Sequence, residues 1–170
     1  MWDYINKVFD NYPAEKKVVQ KMLKIGISVK ILYDEPKLFC ESIEIKPNSI
    51  ARAFHVDRRV IVNMIQKIIN DPELFDFFSN LEPMSNFENS GSKIGFGVIE
   101  IIPTDASMPG IIAGVMNVLA ESGISVRQFI ADDPDLVDNP RAIIVTTNTI
   151  TGDVLNGIKK ARGVKAVMLL

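Results

Sequence analysis

The stretch IGFGVIEIIPTDASMPG, residues 94–110, decides the fold of the C-terminal half of the chain. Its first part, Ile94–Ile102, is apolar and rich in β-branched residues, and it predicts a β-strand. Apolar residues at helical spacing then predict a helix over Pro109–Ser122, with proline near its start. The loop between them, Asp105–Gly110, therefore brings backbone N–H groups to a helix N-terminus, which favours a bound anion. The predicted apolar stripe of the helix is Ile112, Val115, Met116 and Leu119.

The elements that follow complete a βαββαβ order. Strands are predicted over Ile124–Ala131, Ala142–Thr147 and Val164–Leu170 from their apolar and β-branched residues. A helix is predicted over Thr151–Arg162, and Gly163 ends it. Two βαβ halves of this kind form an antiparallel sheet with its helices on one face. The C-terminal half is therefore predicted to be ferredoxin-like.

The N-terminal half is predicted to be mostly helical, with a β-hairpin insertion. The hairpin comprises Ile27–Ile31, a turn over Asp34–Lys37 and a returning strand over Leu38–Ile45. Residues 79–93 are rich in Pro, Gly, Ser and Asn, which predicts a linker between domains at 1–78 and 94–170. The chain is thus expected to be an α+β protein. The predicted N-terminal helices are Trp2–Phe9, Pro13–Leu23, Pro47–Phe54, Arg58–Ile69 and Pro72–Phe78.

Residues 47–66 have the pattern of a helix-turn-helix and resemble bacterial- and archaeal-type transcription regulators. Asp57 can cap the second helix, and His55 occupies the turn position where glycine usually provides a left-handed backbone. One face of the second helix is apolar, and the other carries side chains of the types that bind base edges or phosphates. The competing interpretation of that face is an ordinary solvated surface. The candidate DNA-binding residues are Ser49, Arg52, Arg58, Arg59, Asn63, Gln66 and Lys67.

The βαββαβ order, the Asp105–Gly110 loop and Gly123-Ile-Ser-Val126 together resemble an ACT domain. With Val56-Asp-Arg-Arg-Val60 and Asp132-Asp-Pro134, the whole chain resembles a family of archaeal predicted regulators of amino-acid metabolism. The resemblance implies a homodimer that binds a small molecule, typically an amino acid, where two ACT sheets meet. It implies that the carboxylate of the bound amino acid lies at the Gly110 end of the helix and that its ammonium group pairs with Asp105. The competing interpretation is that Asp105 and Ser107 only cap the helix. The candidate ligand-binding residues are Asp105, Ser107, Met108, Pro109, Gly110, Ile111 and Ser125.

Composition narrows the remaining possibilities. The formal net charge of the chain is −2, so only the local excess of Lys and Arg in 46–67 favours nucleic acid. One cysteine, Cys40, cannot form an internal disulfide, and the start of the sequence lacks the order of a signal peptide. We therefore expect a cytoplasmic protein, with no apolar stretch long enough to span a membrane.

Motifs for enzymatic chemistry do not emerge from the sequence. The single histidine, His55, has no evident partner for nucleophilic catalysis, and there is no P-loop or zinc-binding spacing. The acidic run from Asp132 to Asp138 matches no standard calcium loop. We therefore expect a protein that is not an enzyme and that uses no cofactor and no metal ion.

Three functions follow from these expectations. The first is a regulator that binds double-stranded DNA in response to an effector, in which a metabolite shifts the spacing of two reading helices. The second is an ACT-type regulatory subunit that docks on a biosynthetic enzyme without binding DNA. The third is an ACT scaffold whose only role is dimerisation.

Overall fold

The computed structural model describes residues 2–170 and divides into two compact units, one ending at Ser85 and the other beginning at Asn86. The boundary falls inside the segment 79–93. That segment contacts both units: Leu81 packs on the core of the first, and Gly91 lies against Val98 in the second. Within residues 2–170, no helix combines the length and apolar character needed to cross a bilayer.

The N-terminal unit consists of helices around a small antiparallel sheet. Each of the predicted helices is present, with ends within two residues of the prediction. Helix α2 (Pro13–Ile25) ends where Gly26 adopts a left-handed conformation and its N–H donates to the carbonyls of Met22 and Leu23. The elements are α1 (Trp2–Phe9), α2 (Pro13–Ile25), β1 (Ile27–Leu32), β2 (Glu35–Cys40), β3 (Ile43–Ile45), α3 (Pro47–Phe54), α4 (Arg58–Asn70) and α5 (Pro72–Ser79).

The predicted hairpin was wrong in its turn and in its number of strands. Strands β1 and β2 are joined by Tyr33 and Asp34 alone, whose φ angles of 53° and 61° are the pattern of a type I′ turn. Pro36 therefore lies inside β2, paired with Ile31, and not in a turn. The predicted return strand is broken after Cys40, where Glu41 has a φ of 57°, so the sheet has the order β1–β2–β3.

The apolar stripes of the helices form the core of this unit. Helical spacing predicts a buried stripe of Val18, Val19, Met22 and Leu23 on α2; the first three are fully buried and Leu23 is partly buried. Helix α4 contributes Ile61, Met64, Ile65 and Ile68 to the same cluster. Strand β1 adds Val29, strand β2 adds Leu38, and α5 adds Leu74 and Phe78.

The C-terminal unit has the βαββαβ order that the sequence predicts. Its sheet has the strand order β5 (Val126–Ala131), β6 (Ala142–Thr146), β4 (Gly97–Pro103), β7 (Val164–Leu169), and every neighbouring pair is antiparallel. The two strands that follow a helix, β5 and β7, therefore form the two edges of the sheet, as in a ferredoxin-like fold. The elements are β4 (Gly97–Pro103), α6 (Ile111–Glu121), β5 (Val126–Ala131), β6 (Ala142–Thr146), α7 (Gly152–Lys160) and β7 (Val164–Leu169).

Several predicted boundaries in this unit were too early, and two glycines explain the largest errors. Gly95 has a φ of 88° and ends a 3₁₀ turn over Ser92–Ile94, so β4 begins at Gly97 and not at Ile94. Gly110 has a φ of 93°, which lies outside a right-handed helix. Helix α6 therefore begins at Ile111, and Pro109 belongs to the preceding turn.

The two faces of the C-terminal sheet differ. Helices α6 and α7 cover one face, where Ile99, Ile144, Val115, Leu119 and Ile158 form the core. On the other face Val98, Ile143 and Val145 are buried with Phe96 packed against them. Ile112, predicted as part of the buried stripe of α6, is instead 45% exposed.

Candidate functional site

A pocket of about 300 Å³ lies at the N-terminal end of α6. The turn that leads into α6 forms one side, and the ends of β5 and β6 form the other. Its volume is at the lower end of the range for small-molecule sites. The apolar walls are Ile101, Ile111, Val115, Phe129 and Ile144, and the polar groups include Ser107, Asp132 and Arg141.

The turn before α6 is built by local hydrogen bonds. Thr104 donates from its backbone N and its Oγ1 to the carbonyl oxygen of Gly163, over 2.9 Å and 3.2 Å. The Asp105 carboxylate accepts from the backbone N and Oγ of Ser107, at 2.9 Å and 2.6 Å. At Gly110 the chain enters α6, and no described side chain caps this helix start. The first N–H groups of α6 thus remain open to a ligand with negative charge.

Ser107, Met108, Pro109, Gly110 and Ile111 all line the pocket, so the structure brings these predicted residues together. Asp105 is not among the lining residues. Its carboxylate faces its own turn, where the hydroxyl and then the backbone N–H of Ser107 hold its pKa below the ordinary value. Asp105 therefore shapes the turn, and the contact with an ammonium group that the resemblance implies for it stays a prediction.

Ser125 lies at the other end of the sheet. It precedes β5 at the point where Val126 pairs with Thr146, and its carbonyl accepts from the backbone N of Thr147 at 3.0 Å. The pocket is at the opposite end of the same strands, where Ala131 pairs with Ala142. Five positions at about 3.4 Å each separate the two ends by roughly 17 Å. Within one chain, Ser125 and the Ser107–Ile111 group do not form a single site.

Sequence analysis missed Asp132 and Arg141. They flank the loop between β5 and β6 and close it with two hydrogen bonds. The backbone N of Asp132 donates to the carbonyl oxygen of Arg141 at 2.9 Å, and the backbone N of Arg141 donates to Asp132 Oδ2 at 3.3 Å. The sequence does contain a signal for these two residues. Charged residues directly after one strand and directly before its antiparallel partner must lie at the same end of the sheet. That end is also where β4 leads into the Asp105–Gly110 loop.

The guanidinium group of Arg141 is held by carboxylates. Its Nη2 contacts Glu88 Oε1 at 2.7 Å, its Nη1 contacts Glu100 Oε2 at 2.9 Å, and its Nε lies 3.9 Å from Asp132 Oδ2. Burial by itself lowers the pKa of Arg141. The hydrogen bonds to Glu100 and then to Glu88 outweigh that effect, so the pKa of Arg141 is raised above its ordinary value. Glu100 is only 9% exposed, and Arg141 neutralises its charge inside the sheet. Arg141 thus anchors the pocket rim.

The exposed face of α4 collects part of the predicted DNA-binding set. Arg59, Asn63 and Gln66 follow i, i+4, i+7 spacing and are all exposed, so they share one helix face. Arg58 on α4 and Ser49 and Arg52 on α3 are also exposed. The structure therefore presents donors and acceptors of the base-reading types along one side of α4.

Lys67 does not belong to that surface. Its ammonium forms a short ion pair with Glu15 Oε2 of α2 and lies 3.2 Å from the centroid of the Tyr12 ring. The Glu15 side chain is 8% exposed and that of Lys67 is 27% exposed. The Lys67 ammonium neutralises a buried carboxylate between α2 and α4, and a contact of Lys67 with DNA stays a prediction.

The turn between α3 and α4 has the predicted geometry. His55 ends α3 with φ 55° and ψ 48°, the left-handed conformation expected at its position. Asp57 caps α4 by accepting from the backbone N of Arg59 at 2.8 Å. This backbone bond and then the Arg59 side chain lower the pKa of Asp57. The cap thus ties the first residue of the polar face to the turn.

The chain is similar to several solved structures. No family model matches the sequence, and no curated protein matches it. The ACT domain of a GTP pyrophosphokinase from Chlorobium tepidum aligns with 45% of this chain and 97% of its own, at 16% identity and a TM-score of 0.35. The regulatory subunit of aspartate kinase from Thermus thermophilus aligns with 45% of this chain and 51% of its own, at 23% identity and 0.36.

A third structure, the P2 domain of a chemotaxis kinase from Thermotoga maritima, aligns with 45% of this chain and 95% of its own. Its identity is 13% and its TM-score 0.35. The chain spans about half of the aspartate kinase subunit that it matches. At these values none of the three assigns the chain to a family.

Proposed function

We propose that the protein is an effector-responsive regulator of amino-acid metabolism and not an enzyme. Its C-terminal unit would be an ACT-type domain that binds a small molecule, and its N-terminal unit a helix-turn-helix that binds DNA. The pocket at the start of α6 carries the proposal, because four predicted loop residues and Ile111 converge there on an apolar cavity.

The chemistry of the pocket supports an amino acid with an apolar side chain as the effector. A carboxylate fits the uncapped N-terminus of α6, where backbone N–H groups and the helix dipole favour negative charge. Asp132 is the carboxylate in the pocket lining and suits an ammonium group, in place of Asp105. The walls around Val115 and Phe129 suit an apolar body.

Two features support the DNA-binding half of the proposal. Helices α3 and α4 are joined by a tight turn with a left-handed His55, and the exposed side of α4 carries Arg59, Asn63 and Gln66. Arginine pairs with guanine and asparagine or glutamine with adenine in the major groove. In a homodimer, two such helices would read half-sites about 34 Å apart.

Selection of DNA from a random duplex pool, followed by gel retardation, tests this assignment. Arg59→Ala and Asn63→Ala should each weaken binding to the enriched sequence about tenfold or more, since a base contact contributes about 1–3 kcal/mol. Lys24→Ala removes one exposed charge from α2 and is the matched control. Selective binding that survives both α4 substitutions would show that another surface reads the DNA.

The same protein should respond to its effector. An amino acid that raises the melting temperature, by binding only the folded state, should also change the affinity for the enriched duplex. A melting shift without any change in DNA affinity would remove the regulatory link.

The lack of a strong positive charge favours the alternative function, a subunit that docks on a biosynthetic enzyme. The net charge is −2, and Lys67 is withdrawn from the exposed face of α4. The DNA selection separates the two functions, because a docking subunit would enrich no sequence while keeping its effector-dependent melting shift.

A further inference from the structure

Gly163, in the turn between α7 and β7, lies directly behind one wall of the pocket. Its φ is 83°, and two pocket-lining side chains fill the space where a side chain at 163 would stand. The nearest atom to an added Cβ is Met108 Cε, followed by Ile111 Cγ1 at 2.6 Å. The wall formed by Met108 and Ile111 therefore rests on the bare Cα of this glycine.

The turn that holds Gly163 cannot simply move away from that wall. Its carbonyl oxygen accepts both hydrogen bonds from Thr104, from the backbone N at 2.9 Å and from Oγ1 at 3.2 Å. These bonds fix the α7–β7 turn against Thr104, which follows β4 directly and lies four residues before Met108. A side chain at 163 must therefore displace Met108 and Ile111, and the free space beside them is the pocket.

We propose that Gly163 is a specificity-determining residue for the ligand of this pocket, acting through Met108 and Ile111. Because Gly163 has no side chain, Met108 and Ile111 can pack close to its Cα. The pocket then admits a larger apolar group than it would with a side chain at position 163. The inference rests on the proposed function, in that the probe ligands are amino acids. It concerns only the size of the apolar group, which the polar end of the pocket does not determine.

Isothermal titration calorimetry on the full chain with alanine, valine, leucine and phenylalanine tests the inference. Gly163→Ala should lower the affinity for the largest amino acid that the unmodified protein binds by on the order of tenfold relative to the smallest. Adding Met108→Ala to that variant removes the nearest clashing atom and should restore part of the loss. Gly123→Ala is the matched control, because Gly123 also has a positive φ of 68° but nothing lies within 4 Å of an added Cβ.

Each outcome decides the matter. A changed size order in Gly163→Ala, absent in Gly123→Ala and reversed by Met108→Ala, supports the inference. An unchanged order in Gly163→Ala, or the same change in the control, overturns it. If Gly163→Ala does not fold, Met108→Ala alone should shift preference toward larger amino acids, and an unchanged order overturns the inference.

The failure of the proposed function would look different. If none of the four amino acids binds the unmodified protein, the ligand assignment and this inference both fall, while gel retardation still reports on DNA binding separately. If the amino acids bind with the expected size effects but no DNA sequence is enriched, the DNA-binding half falls and the inference stands.

Discussion

Replacing Lys67 by methionine is expected to destabilise the N-terminal unit, because it leaves the Glu15 carboxylate without its cation. That carboxylate belongs to a side chain only 8% exposed, at the contact between α2 and α4. Breaking a buried ion pair by removing one partner costs about 3–5 kcal/mol. The Lys67 side chain is 27% exposed, so water screens the pair in part, and we expect a loss of about 2–3 kcal/mol.

Urea denaturation followed by tryptophan fluorescence measures this loss in the relevant unit. Trp2 is the single tryptophan of the chain and packs edge-on against Phe77, with ring centroids 6.4 Å apart. Its signal therefore reports unfolding of the N-terminal unit. Adding Glu15→Gln to Lys67→Met removes the unpaired charge and should recover most of the lost stability.

Two results would refute this reasoning. An unchanged urea midpoint for Lys67→Met would show that the pair contributes nothing to the contact between α2 and α4. A loss of DNA retention equal to that of Arg59→Ala, at unchanged stability, would show that Lys67 acts in the proposed DNA contact and not in holding α2 to α4.

Two further predictions follow from individual hydrogen bonds. Asp71 caps α5 by accepting from the backbone N of Glu73 and of Leu74, each at 3.1 Å. Asp71→Ala should therefore lower the free energy of unfolding by about 1 kcal/mol, whereas Asp71→Asn should retain most of the stability that the cap contributes. Urea denaturation midpoints of the two variants measure the difference. The pKa of Asp105 is lowered by Ser107, so this carboxylate stabilises its turn above its unfolded pKa and loses that effect as the pH falls through the lower folded value. The backbone amide resonance of Ser107 should therefore titrate below the ordinary range for an aspartate, and should be flat there in Asp105→Asn.

Periodicity was sufficient for the helices and for the order of the C-terminal elements. Three of the four residues predicted for the buried stripe of α2, Val18, Val19 and Met22, are fully buried, and the order βαββαβ is observed. The turn at Tyr33 and Asp34 was missed because neither residue is glycine, although both have a positive φ. Asp34-Glu-Pro-Lys37 carried the stronger turn signal, yet Pro36 is accommodated in β2.

The candidate sites were predicted where they are local in sequence and missed where they depend on tertiary contacts. Residues 107–111 follow one another along the chain, so a loop motif was enough to find them. Asp132 and Arg141 reach the same pocket only through the pairing of β5 with β6. Lys67 was assigned to the wrong environment because its partner, Glu15, is 52 residues away and helical spacing does not reveal it.

The walls of the C-terminal pocket have a second role, since Ile101, Val115 and Ile144 also belong to the hydrophobic core. Any substitution that reshapes these apolar walls must therefore alter both the stability of the unit and the shape of the pocket. At the rim, Asp132 lies at a strand end outside that core, whereas Arg141 neutralises the nearly buried Glu100. Variation among related chains is therefore expected to be freer at Asp132 than in the apolar walls, which the C-terminal unit needs in order to fold.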